Sequence, residues 1–215
     1  MKLKIFSGSV TLMLAVACAG CGDDDAVKQI HVDAVSQYAI VAEKAYSDSV
    51  DTARALQTAV DAFVAAPSDA TLQAAKDAWL ASREPYLQTE VYRFYEGPID
   101  NETDGPEGLL NAWPMDENYV DYTLGSDGSI ISSGLINDTT FELSEDSVES
   151  KNEVGGEKNI ATGYHAIEFL LWGQDTSDTG PGNRPFTDYV TDGTGTQANQ
   201  DRRGQFLKIT ASLLV

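Results

Sequence analysis

Cysteine is nearly absent from this chain of 215 residues: the two it has, Cys18 and Cys21, both lie close to the N-terminus. Everything beyond them therefore lacks disulfides and has no thiolate for zinc, iron-sulfur or nucleophilic chemistry. Any metal site must draw on histidine, carboxylates, carbonyls or water. Histidine is scarce as well, with only His31 and His165. Basic residues are few, since 14 Lys and Arg face 34 Asp and Glu, for a formal charge of −20. A chain this acidic is repelled by phosphate backbones and anionic headgroups, which removes nucleic acid as a partner and favours metal cations or basic peptides. Apolar content is not lacking: 42% hydrophobic and 9% aromatic residues suffice for a core. At about 150 residues per domain, the length allows one domain, or one and part of a second.

The N-terminus reads as an export signal. Lys2 and Lys4 precede an apolar run, Ile5 to Ala17, that is shorter than the ~20 residues of a membrane-spanning helix. The run Cys18-Ala19-Gly20-Cys21-Gly22-Asp23-Asp24-Asp25 resembles a bacterial lipobox. Cys21 is the expected acylation site, Cys18 the alternative, and a plain cleaved signal the other reading. Residues 1–20 are then a signal peptide, 21–26 a polar tether, and 27–215 a helical domain. The expected destination is the periplasmic side of the outer membrane or the cell surface, with membrane contact through the lipid alone.

From Val27 to Ala66 apolar residues recur near the helical period: Val27, Ile30, Ala34, Tyr38, Val41, Ala45, Thr52, Leu56, Ala59 and Phe63. Pro67-Ser68-Asp69 breaks the pattern and offers a helix start, after which Leu72, Ala75, Trp79, Tyr86 and Phe94 continue it. Two such stripes need further helices to bury them, which predicts an all-α helical bundle. Pro85 predicts a kink or local distortion. Turn signals dominate from Gly97 to about Gly156, with short helices expected near Glu107 to Asn111, Asp116 to Thr123 and Ile130 to Asn137. A loop region this long is usually functional or partly structured. A further helix is expected from Glu157 to Trp172, stopped at Gly173, and a last amphipathic one from Asp201. The chain ends at Leu213-Leu214-Val215 without a cap, so its C-terminal part is expected to be incomplete.

Charges fall where a core should be. Trp79, Arg83, Tyr86, Glu90 and Phe94 share one helical stripe. Arg83 and Glu90 are then either a buried ion pair or part of a binding site. His165 and Glu168 stand three apart on one face, extended by Trp172. Both are expected to be buried, as a site or as a satisfied core pair. Gly163 before them allows either close helix packing or approach of a backbone or ligand. His31 reads as a surface residue.

The segment Gly163-x-His165-x-x-Glu168, followed by Phe169-Leu170-Leu171-Trp172-Gly173-Gln174-Asp175, resembles the signature of the imelysin family of exported bacterial proteins. Trp79-x-x-x-Arg83-x-Pro85-Tyr86, Glu90, Arg93-Phe94, Gly97-Pro98-Ile99-Asp100 and Asn111-Ala112-Trp113-Pro114 support it in order. The resemblance implies two bundle-like halves with His165 and Glu168 at a cleft between them. It also implies a role in iron acquisition, beside an iron-uptake protein partner, and a family label of metallopeptidase. The residues favour binding: there is no His-Glu-x-x-His helix, and one imidazole among oxygens suits iron, manganese or calcium better than zinc. His165, Glu168 and Glu90 are the expected metal ligands, with Arg83, Tyr86 and Asp100 as supporting contacts to the cation or an iron-carrying ligand. In the peptidase alternative, His165 and Glu168 would be catalytic. A non-catalytic peptide- or protein-binding module is the third reading.

Overall fold

The computed structural model describes residues 24–215, so the expected export signal, Cys18 and Cys21 lie outside the described residues. It is an all-α fold, with helices α1 (Asp24–Ala65), α2 (Asp69–Gln88), α3 (Glu107–Asn111), α4 (Glu117–Val120), α5 (Glu145–Glu149), α6 (Gly163–Trp172) and α7 (Gln200–Ser212). A two-residue hairpin, β1 (Thr123–Leu124) and β2 (Ile130–Ile131), is antiparallel with Thr123 opposite Ile131. Two units are distinguished, Met1–Ile40 and Val41–Val215. Within the first, every side chain from residue 25 to 40 is exposed, His31 included. No helix of the described residues is long and apolar enough to cross a membrane.

The stripe of α1 is thus buried only in its later part. Val27, Ile30, Tyr38 and Val41 are exposed, whereas Ala53, Leu56, Val60 and Phe63 are buried. Periodicity states which face can be buried, and a packing partner decides whether it is. The second unit has one core. Leu72, Ala75 and Trp79 of α2, Tyr164, Ile167, Leu170 and Leu171 of α6, and Phe206, Leu207 and Ala211 of α7 join the α1 residues in it. Because α6 packs against α2, α3 and α7, it is central, as its apolar sequence requires.

Local chemistry sets the start of α2. Ser68 Oγ accepts from Thr71 N and the Thr71 hydroxyl accepts from Ser68 N, a reciprocal cap. The helix continues through Pro85 but ends at Gln88, and a 3-10 turn, Thr89–Tyr92, follows. The stripe extrapolated to Glu90 and Phe94 is therefore broken: both side chains are exposed. The helix expected over Ile130 to Asn137 is absent. Ile130 and Ile131 instead pair across a turn in which Gly128 takes φ +79° and Asp127 Oδ1 accepts from Ser129 N.

Helix α6 begins at Gly163 rather than Glu157. Gly163 has φ +79°, which no continuing right-handed helix permits at that point. A Cβ there would lie 2.5 Å from Leu110 O and 2.7 Å from Leu109 O, so the backbone of α3 occupies the space that the missing side chain leaves. Thr162 Oγ1 donates to Leu109 O at 2.9 Å, and Asn152 accepts from Ala161 N while donating to Gly108 O. The contact at Gly163 is close packing of one helix backbone, α3, on another.

A buried ion cluster fastens the long connections to α7. Asp121 accepts from Arg203 Nε at 2.6 Å and from Arg184 Nη1 at 2.8 Å, all three side chains being at most 1% exposed. Asp188 Oδ2 accepts from the Tyr122 hydroxyl at 2.6 Å and its Oδ1 from Thr196 Oγ1. Burial alone would raise the Asp121 carboxyl, but Arg184 and Arg203 outweigh it and hold the group below the usual carboxylate range. Burial pushes the Tyr122 phenol up to about 12, against the pull of Arg184.

Candidate functional site

Seven of the ten residues of α6 are buried; the three that are only half-buried are His165, Glu168 and Trp172. They follow at i, i+3 and i+7 and so share one face. That face opens on a cleft of about 470 Å³. Neither titratable group is fully enclosed, with side chains 17% and 43% exposed for His165 and Glu168. This corrects the expectation that both are buried.

The two groups meet: His165 Nδ1 lies 3.2 Å from Glu168 Oε2. The Trp113 ring packs on the imidazole, centroids 4.7 Å apart. Trp79 meets Trp172 edge to face at 5.3 Å, and its indole N–H donates to Tyr164 O at 2.9 Å. All three tryptophans of the chain line the cleft, together with Phe169. Trp113 is the exposed one, at 67%. Two more carboxylates, Glu117 at the first turn of α4 and Asp175 beyond α6, complete the lining's charged groups, and no Lys or Arg is among them. Burial raises the Glu117 carboxyl above its usual range; Arg184 opposes this, and Asp116 and Asp175 add to it.

The other expected site residues are placed elsewhere. Arg83 Nη1 donates to Asn111 Oδ1 at 2.6 Å, and its guanidinium lies over the rings of Tyr164, Tyr86 and Trp79. It is a packing hub rather than a partner of Glu90. Tyr86 is buried between Arg83 and Arg93, its hydroxyl accepting from Arg93 Nη1 at 3.2 Å. Burial raises its phenol well above the ordinary value. Glu90 and Asp100 line a separate depression with Arg93, Phe94 and Glu107. There Arg93 pairs with Glu107 at 2.6 Å, and Asp100 Oδ1 accepts from Gly97 N at 2.8 Å. The structure brings His165 and Glu168 together but does not bring Glu90, Asp100, Arg83 or Tyr86 into their cleft.

Donor number decides what the pair can hold. Iron, manganese and calcium take several oxygen or nitrogen donors, and calcium alone needs about six or more. Among the described residues no group of three or more His, Cys, Asp or Glu side chains is arranged to hold a metal ion. The expected set of His165, Glu168 and Glu90 is thus not assembled, and of the three side chains a bare ion would find two together. A ligand that carries its own donors needs no more than that.

Trp113 and Asp175 stood within the motifs quoted above, but nothing local marked them as lining residues. Glu117 carried no sequence signal at all. Over 61 residues the chain is 39% identical to iron-regulated protein A of Synechococcus elongatus, a match covering 28% of this chain and 16% of that protein. A family model described as imelysin matches residues 42–215, all of the second unit but its first residue. The chain belongs to the imelysin family.

Proposed function

We propose that this protein is an exported, lipid-anchored binding protein with an iron-related role, and that its ligand occupies the cleft built around His165 and Glu168. Cys21 is the anchor in this reading, which holds the helical domain at the periplasmic side of the outer membrane or at the cell surface. Family membership supports the iron-related role, as does the name of the cyanobacterial relative. The observation that carries the reading is the placement of the family motif's two polar side chains. They are the one imidazole and the one carboxylate of an otherwise apolar and aromatic helix, and they face a cleft walled by every tryptophan of the chain. Concave, largely apolar pockets with a few convergent polar groups are the usual form of a small-ligand site.

The geometry favours binding over peptide hydrolysis. A water-activating metal centre commonly has three protein ligands and an open position. Here His165 and Glu168 form a pair, and no third His, Cys, Asp or Glu side chain among the described residues joins them in an arrangement that could hold a metal ion. The cleft therefore suits iron presented within a carrier, for which His165 and Glu168 supply two polar contacts and the rings supply surface.

Calorimetric titration with ferrous iron, zinc, calcium and ferric chelates tests the proposal. At least one iron form should release heat with the wild type, and the His165→Ala, Glu168→Ala double variant should bind it at least about tenfold more weakly, or about 1.4 kcal/mol. Equal heats for the two proteins, or no heat with any iron form, would refute it.

A further inference from the structure

The charge of the cleft specifies its ligand further, given the iron-related binding reading on which this step rests. Three carboxylates, Glu117, Glu168 and Asp175, are among the lining residues, and their only titratable companion is His165. The nearby cations are not lining residues but sit against the lining rings, Arg83 over Trp79 at 5.7 Å among them. Lys76 Nζ stacks over the Trp172 ring at 5.4 Å, while Arg184 lies over Phe169 at 5.3 Å and pairs with Asp121 and Asp188. Indole faces attract cations most strongly of the aromatic side chains, and the attraction grows where water is displaced. The exposed Trp113 indole, which carries no Lys or Arg of the described residues, stands with three carboxylates and makes a surface that accepts a positively charged organic group and rejects an anion. Trp79, Phe169 and Trp172 add apolar wall.

We infer that the cleft recognises a cationic organic complex, so that iron enters it as a positively charged chelate and not as an anionic one. Two physical terms act together. The rings contact the flat or apolar body of the chelate, and Glu117, Glu168 and Asp175 balance its charge. An anionic chelate of the same size meets the same rings but is opposed by all three carboxylates. The acidity of the whole chain adds a longer-range field of the same sign, which salt screens over roughly 10 Å at 0.1 M.

Because every tryptophan lines the cleft, fluorescence excited selectively at tryptophan reports on this site. The test titrates the full chain with a cationic ferric trihydroxamate, with anionic ferric citrate, and with the iron-free cationic hydroxamate. The cationic ferric complex should bind about tenfold or more tighter than ferric citrate at low salt, and raised salt should narrow the gap. In a Glu117→Gln, Asp175→Asn variant the preference should fall by at least about threefold, with circular dichroism unchanged, because both substitutions keep shape and remove charge. Equal or tighter binding of ferric citrate, or an unchanged preference in the variant, overturns the charge inference while leaving iron binding intact. If the iron-free cation binds as tightly as its ferric complex, cation recognition stands and the iron-related reading falls. If none of the three alters the fluorescence, both fall.

Discussion

Two regions of this protein place acids among aromatic rings, and they treat them in opposite ways. In the cluster of Asp121, Asp188, Arg184 and Arg203 each carboxylate has an arginine, the side chains are at most 1% exposed, and Tyr122 and Thr196 take up remaining acceptors. In the cleft, Glu117, Glu168 and Asp175 share the lining with one histidine and no arginine or lysine, Arg184 acts on Glu117 from outside that lining, and Glu168 is 43% exposed. Balance and closure mark a group that holds the fold. Imbalance with access leaves the cleft carboxylates to be solvated by water or met by a ligand, since only a charge shut away from water must be paired within the chain.

The largest expected effect would come from breaking the balanced region. Asp121→Ala leaves Arg184 and Arg203 buried without their shared carboxylate and should cost about 3–5 kcal/mol in urea unfolding. The same carboxyl predicts an acid limit. Its folded-state value lies below the unfolded one, so its contribution is complete above the unfolded carboxylate range, near pH 4, and is lost as pH falls through the folded value. An Asp121→Ala protein whose unfolding midpoint matched the wild type would erase the contrast drawn here.

The cleft pair should matter far less to stability. His165→Ala with Glu168→Ala removes a half-exposed contact one helical turn long and should cost under about 1 kcal/mol. A loss as large as that for Asp121 would make the motif a structural pair instead of a ligand contact. The smallest effect should have the opposite sign. Burial raises the Glu117 carboxyl, with Arg184 opposing and Asp116 and Asp175 adding to it. Its ionisation therefore destabilises the fold as pH rises from the unfolded value to the folded one, and it does so fully at neutral pH. Glu117→Gln should raise the thermal midpoint slightly at pH 7 and leave it unchanged near pH 3. A drop at pH 7 would show that Glu117 has a structural partner.

Much of this was legible in the residues. Pro67-Ser68-Asp69 marks the break before α2 because capping is chemistry within four residues. The apolar second half of α6 announces a central helix, and the i, i+3, i+7 spacing of His165, Glu168 and Trp172 announces a shared face. Glu90 was misplaced because the stripe was carried past Gln88, where the chain leaves the α-helix and a tighter turn redirects its side chains. The first residue of α6 was misplaced because the backbone of α3 fixes Gly163.

Sequence by itself carried the family motifs, the helical class, the central position of α6 and the shared face of His165 and Glu168, since ordered motifs, helical period and one-turn spacing are all written along the chain. Only the tertiary structure decided which carboxylates join that pair and which are neutralised. Arg203 reaches Asp121 across 82 positions, and Arg184 reaches it across 63. Glu117 and Asp175 come to one cleft from opposite sides of the hairpin and α6. Periodicity extends only along a helix, whereas the balance of charge in a pocket is set by chain segments that packing alone brings together.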